Sequence, residues 1–210
     1  MIAHHPFDDS LARLAAGTLA AGPRLVVSTH IHECRQCIAR VRMFEAVGGA
    51  MIDEATSVFA RPETYARVMA RLDAPAPQAP PARRLRHPEL PPPLNAYEIG
   101  PWRFVHPGFR WRRVNLPESS EANVIMLRVA AGNRVPHHGH TGTEYTQVLS
   151  GSFSDAFGRY RAGDLIEMDE DVDHQPVVDA GGECVCLASV EGKLRFSDWI
   201  SRLMQPLIGI

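Results

Sequence analysis

No stretch of this sequence stays apolar for the roughly 18 residues that a membrane-crossing helix requires. The opening residues, Met1 to Pro6, lack the basic stretch and apolar core of a secretory signal, so no export is expected. A surplus of either charge is also missing. The 22 Lys and Arg against 24 Asp and Glu leave a net charge of −2. That balance argues against holding nucleic acid through a broad basic surface, because the attraction grows with the number of phosphates neutralised. Cysteine is scarce, with four residues in two close pairs. Free thiols in a chain with no export signal point to a reducing cytoplasm. The 210 residues allow one large domain or two small ones. Two residue types are abundant instead: 17 Pro and 10 His. Histidine is the commonest metal ligand and titrates near neutrality, so the question is which of the ten have a task.

Proline divides the chain. Eight of the 17 fall between Pro75 and Pro93; such a segment sustains neither helix nor ladder hydrogen bonds and reads as an extended linker. Formal charge is 0 over residues 1–73, +2 over 74–94 and −4 over 95–210. Arg83, Arg84 and Arg86 of the linker are taken as solubilising charge. Residues 1–73 read as four helices. The first carries Phe7, Leu11 and Leu14, with Asp8, Asp9 and Ser10 as capping candidates. Gly22-Pro23 opens the second, which carries Leu25, Val26 and Thr29. The third is expected from about Cys34 to Glu54, weakened by Gly48-Gly49. Pro62 opens the fourth and Asp73 closes it, with Tyr65, Val68, Met69 and Leu72 on one stripe. From residue 95 the period changes to two. Runs at 102–105, 109–114, 124–129, 144–149, 152–157, 164–168 and 185–190 are separated by Gly, Pro, Asn or Asp, which predicts a β-sandwich or barrel. Phe196, Trp199, Ile200, Leu203 and Leu207 return to helical spacing and predict a short C-terminal helix packed on the barrel.

Two constellations carry the chemistry. The first is His30-x3-Cys34-x2-Cys37. On a helix these three share a face, and even a break after His30 would leave them close. Zinc takes four N or S ligands in a tetrahedron, so a fourth must come from elsewhere: His5 is the choice, with His4 and His32 in reserve. A helical unit of this size has a marginal core, which a structural metal would help to fold. A redox Cys-x2-Cys pair belongs near a βαβ unit, which this pattern does not offer. The second constellation reads Gly132, His138, His140, Glu144, Gly151, then Gly163 and His174. Residues i and i+2 of a strand face the same side, so His138 and His140 can both point inward, with Glu144 and His174 joining from a returning strand and His137 pointing away. Three imidazoles and a carboxylate suit zinc or another first-row divalent ion. Cys184 and Cys186 should share one face of a strand. A disulfide between them would be strained, so packing as small apolar residues is expected, with a redox role as the alternative.

The second constellation has the spacing of the first cupin motif at every position. Gly163 and His174 stand at the separation of the second, although Asp169 and Asp171 replace its usual Pro and Gly and Val178 its closing Asn. Residues 95 to 195 therefore resemble a cupin β-barrel. Joined to a helical zinc unit and a linker, they make the chain resemble ChrR-type zinc-binding anti-sigma factors over nearly its whole length. The resemblance includes His4-His5, Leu25 to His30, Ala46 to Gly49, Cys184 to Cys186 and Leu194 to Phe196. It implies an α + β two-domain protein that is not an enzyme: an N-terminal four-helix zinc-binding bundle over 1–73, a Pro-rich linker over 74–94, and a cupin domain with a short C-terminal helix over 95–210. It implies zinc at His5, His30, Cys34 and Cys37, and a second zinc at His138, His140, Glu144 and His174. It further implies that the helical domain keeps a sigma factor of the extracytoplasmic-function type from core RNA polymerase. The cupin would be needed to respond to singlet oxygen or related oxidants, with no direct contact to nucleic acid or membrane. Two other functions fit the β half: a metal-dependent cupin dioxygenase using Fe(II) with an open coordination position, or a cupin small-molecule sensor. The dioxygenase leaves the helical zinc unit unexplained.

Overall fold

The N-terminal helices follow the apolar spacing closely. In the computed structural model, which describes residues 2–74, 87–119 and 121–196, α1 covers Asp8–Ala15, α2 Ala21–Glu33, α3 Arg35–Asp53 and α4 Pro62–Asp73. The expected capping residues Asp8, Asp9 and Ser10 lie inside α1, and its N-cap residue, Phe7, offers no side-chain cap. The cap is supplied from the β half: Glu167 accepts from Phe7 N at 3.0 Å, one of the backbone donors that a helix N-terminus leaves free, and also from the Ser10 hydroxyl at 2.9 Å. Cys34 is extended, with φ −98° and ψ 102°, and separates α2 from α3. An Arg40–Asp8 ion pair ties α3 to α1. α4 has the predicted bounds but buries no residue. The four-helix bundle is therefore corrected to a three-helix unit, α1 to α3, with α4 outside its core. An apolar stripe reveals that a helix has a face to bury, not that the same chain covers it.

Residues 98–196 form twelve strands, all paired antiparallel. The main sheet runs β1 (Glu98–Ile99), β3 (Phe109–Asn115), β4 (Asn123–Val129), β11 (Cys184–Val190), β6 (Glu144–Ser150), β9 (Leu165–Met168), with β2 (Arg103–His106) also on β3. A second sheet joins β10 (Val177–Val178), β7 (Ser152–Ser154) and β8 (Arg159–Arg161), and β12 (Leu194–Phe196) pairs with β5 (His138–His140). Phe196 thus lies opposite His138 in a strand pair instead of opening a helix; the rest of the expected C-terminal helix falls outside the described residues. At the end of the Pro-rich segment, Pro92–Ala96 forms a 3-10 turn whose Leu94 is fully buried.

Alternation along the central strands sorts two cores. On the inner face, Val129, Val148, Cys184 and Cys186 pack against Phe153, Tyr160 and Val178 of the three-stranded sheet. On the outer face, Val124, Met126, Tyr145, Leu165 and Leu187 pack beneath Leu11, Leu25 and Val26 of the helices. The helical unit and the sheet share one core. α2 approaches the sheet closely at Gly22, where a side chain would run into Ser189 and Val124.

Candidate metal centres

The first centre forms where three segments meet. His5 comes from the extended N-terminus, His30 from the last turn of α2, Cys34 from the break, and Cys37 from the first turn of α3. Their ligand atoms all lie within 4.8 Å of one another. His5 Nδ1 is 3.4 Å from Cys34 Sγ and 3.3 Å from Cys37 Sγ, and His30 Nε2 is 3.3 Å from Cys37 Sγ. The reserve candidates stand elsewhere: His4 Nδ1 faces Asp164 at 3.2 Å and His32 is exposed.

Burial pushes the His30 imidazole down to about 4, so it is neutral at pH 7 and its Nε2 lone pair is available. Burial and the adjacent Cys34 push the Cys37 thiol up to about 12. Two buried sulfurs and two imidazoles are the donor set that a divalent ion would complete, since its charge would hold both sulfurs as thiolates.

The outer partners of this centre come from the β half. His30 Nδ1 faces Gly163 O at 3.0 Å and Gln147 Oε1 at 3.1 Å. Both atoms accept, which places the proton on Nδ1 and leaves Nε2 as the ligand atom. Asp164, fully buried, accepts from Ala3 N at 2.7 Å, His4 N at 3.1 Å and Arg161 N at 3.0 Å. Burial pushes the Asp164 carboxyl up, but these donors outweigh it and hold it below the ordinary range. Leu165 N donates to His4 O at 3.1 Å. The residues leading to His5 are thus fastened to the sheet.

The second centre lies on the inner face. His138 and His140 are the ends of β5, Glu144 opens β6, and His174 bridges to His138. All four are buried and their ligand atoms converge within 4.8 Å. Each imidazole turns Nδ1 outward to an acceptor: His138 to Pro136 O at 2.8 Å, His140 to Asp169 O at 3.4 Å, and His174 to Asp155 Oδ2 at 3.0 Å. The three Nε2 atoms therefore present lone pairs to the centre. His140 Nε2 and Glu144 Oε2 are 2.6 Å apart, yet neither has a hydrogen bond of acceptable direction. Atoms that point at a common position, with no proton aligned between them, fit a cation there. Burial pushes the Glu144 carboxyl up, but the imidazoles of His138, His140 and His174 more than offset this and leave it well below its ordinary range. His174 shows the reciprocal effect: burial pulls it down, and Glu144 and Asp155 raise it overall. Thr146 Oγ1 donates to Glu144 Oε1 at 2.7 Å.

The sequence pattern brought all eight ligand candidates forward in the two groups that the fold assembles. It missed Gln147, Gly163 and Asp164 around the first centre and Asp155 and Thr146 around the second. Thr146 had a visible signal, being two residues beyond Glu144 on the same strand face. The others are far from their partners in the chain.

Cys184 and Cys186 share the inner face of β11, both buried, with sulfurs 3.7 Å apart. The Cys184 neighbour and burial push the Cys186 thiol well above its ordinary value, away from the reactive thiolate. Both border a cavity of about 50 Å³ with Leu127, Val129, Phe153 and Met168, which reaches the second centre at His138, Glu144 and His174.

No helix among the described residues is long and apolar enough to cross a membrane. Residues 96–192 match the ChrR cupin-like domain family. Over its whole length the chain is similar to the anti-sigma-E factor ChrR of Cereibacter sphaeroides, with 39% identity covering 100% of this chain and 99% of that protein. It is also similar to a chain in the crystal structure of Rhodobacter sphaeroides SigE in complex with the anti-sigma ChrR. There the TM-score is 0.71 at 36% identity, covering 91% of this chain and 100% of that one.

Proposed function

The chain belongs to the ChrR family of anti-sigma factors, and on that premise we propose that its helical half binds a sigma factor of the extracytoplasmic-function type and keeps it from core RNA polymerase. The cupin-like half releases the sigma factor in response to singlet oxygen or related oxidants. The observation that carries this reading is the set of large apolar residues along α3 and α4 that the described residues leave uncovered. Ile52 at the end of α3 is 74% exposed, Phe59 before α4 99%, and Leu72 on α4 72%. Met43, Val47 and Met51 of α3 and Tyr65, Val68 and Met69 of α4 are exposed as well. A soluble chain seldom leaves so much large apolar surface open unless something binds there, and helical stripes suit a helical partner. The solved complex of SigE with ChrR supports the choice of partner.

In this reading residues 1–73 hold the sigma factor, 74–94 link, and 95–210 form a cupin barrel, working in the cytoplasm without contact to DNA or membrane. Zinc occupies both centres. At the first it would supply the charge that keeps Cys34 and Cys37 as thiolates and cross-link the N-terminal segment to the α2–α3 junction. His5 and His30 hold that junction in the orientation that presents α3 to the partner. At the second, His138, His140, Glu144 and His174 close a buried ligand set. The small apolar cavity beside it favours access for a small oxidant over a dioxygenase substrate, since ordinary ligand pockets run to several hundred Å³. Cys184 and Cys186 border the same cavity, and oxidation there is the alternative entry point for the signal.

The test is binding of purified candidate sigma factors to the zinc-loaded full chain and to Cys34→Ala/Cys37→Ala. The variant is expected to lose zinc from the first centre and to lose the complex. Undiminished binding by the variant would sink the metal's structural role.

A further inference from the structure

We propose that Gln147 is the positioning residue through which the cupin-like half governs the first metal centre, because β6 carries a ligand of one centre on its inner face and the support of the other on its outer face. The proposal rests on reading His5, His30, Cys34 and Cys37 as a metal site.

Glu144 and Gln147 are three residues apart on one strand. An odd separation puts their side chains on opposite faces, about 10 Å apart along the strand at the usual rise. Glu144 points to the inner cluster, while Gln147 points out beneath α2 and meets His30. The outer positions on either side of Gln147 are Tyr145 and Leu149, both packed with the helical core. An amide in that row is costly to bury unless bonded. Gln147 is 2% exposed; its Oε1 faces His30 Nδ1, and its Nε2 faces Val148 O at 3.4 Å. Val148 O also accepts from Gly163 N at 2.9 Å. The two acceptors that hold the His30 proton, Gln147 Oε1 and Gly163 O, therefore belong to one corner of the sheet.

β6 is laddered on both sides, to β11 and to β9, so it moves as a unit. Displacing Glu144 from the inner cluster shifts this strand, and Gln147 with it, away from His30. The first centre then loses one of the two contacts that fix its tautomer and orientation, with no chemical change at Cys34 or Cys37. Loss of such an outer partner typically weakens metal binding about 10–100-fold.

Cobalt(II) in the full chain reads this directly. Thiolate-to-cobalt charge transfer arises only at the centre containing Cys34 and Cys37, because the inner set has no sulfur ligand. The measurement is the rate at which EDTA bleaches that band. Gln147→Met and Gln147→Leu, which remove the acceptor oxygen, are expected to speed bleaching about 10–100-fold, whereas Gln147→Glu, which keeps an oxygen, stays within about three-fold of the parent. His140→Ala speeds bleaching in the parent chain and adds nothing in the Gln147→Met background. The proposal is overturned if Gln147→Met or Gln147→Leu bleaches at the parent rate, if Gln147→Glu is as fast as they are, or if the His140→Ala and Gln147→Met effects multiply independently. Absence of the band in the parent chain would remove the metal-site reading itself, a separate failure.

Discussion

Glu167 should make the attachment of the helices to the sheet weaken as pH rises. Its carboxylate caps α1 from β9, taking Phe7 N and Ser10 Oγ. Burial raises it from the ordinary 4.5 to about 7; Ser10, Phe7 and Arg13 pull the other way and Asp9 adds to the rise. The folded chain holds this proton more tightly than the unfolded chain. The stabilisation is therefore fully present below pH 4.5 and is lost as pH climbs through about 7. The gap between the two values sets an upper limit of about 3 kcal/mol. The side chain keeps some contact with water, so screening brings the expected loss to about 1–2 kcal/mol. Glu167→Gln keeps one oxygen for Phe7 N and cannot ionise. Urea unfolding of the metal-loaded chain at several pH values between about 5 and about 8 measures the effect as the difference between parent and variant. The parent should lose about 1–2 kcal/mol relative to Glu167→Gln across that window. Parallel pH profiles for the two chains, or a parent that gains on the variant as pH rises, would refute the reasoning.

Two further outcomes follow from the packing. Leu187→Ala, in the core shared by helices and sheet, should cost about 2–5 kcal/mol, and far-UV helical signal and tryptophan fluorescence should be lost in one coincident transition. Separate transitions would contradict a common core. Val68→Asp combined with Leu72→Asp on α4 should weaken sigma-factor binding by about 2 kcal/mol or more, as titration calorimetry would register. Because neither residue is buried, stability should stay within about 0.5 kcal/mol of the parent.

The residue pattern disclosed what depends on local spacing. α4 appears at Pro62–Asp73 as its stripe predicts, and the His, Cys and Glu residues of both constellations come together. What escaped is what another part of the chain decides. The α4 stripe looks like that of a core helix, yet it is left open, while α2, with the same kind of apolar residues, is covered by β6 and β11. Strands of two or three residues such as β10 and β12 are too short to show a period, so the helical spacing that follows Phe196 hides its strand. Asp164 and Gln147 look like ordinary polar residues until the partners they serve, more than a hundred positions away, are brought beside them.

The fastening of the N-terminus to the sheet has a consequence for how the chain is made. Ala3 waits for Asp164, 161 residues later, and His30 for Gln147, 117 residues later. At about 5–20 residues per second, the ribosome needs on the order of ten to thirty seconds to close the first of these gaps. During that interval the helices have emerged without the strands that complete their core. A nascent chain therefore cannot close the bonds that fasten its N-terminus and His30 to the sheet until the cupin-like half has left the exit tunnel, so the first metal centre gains its outer partners only at the end of synthesis.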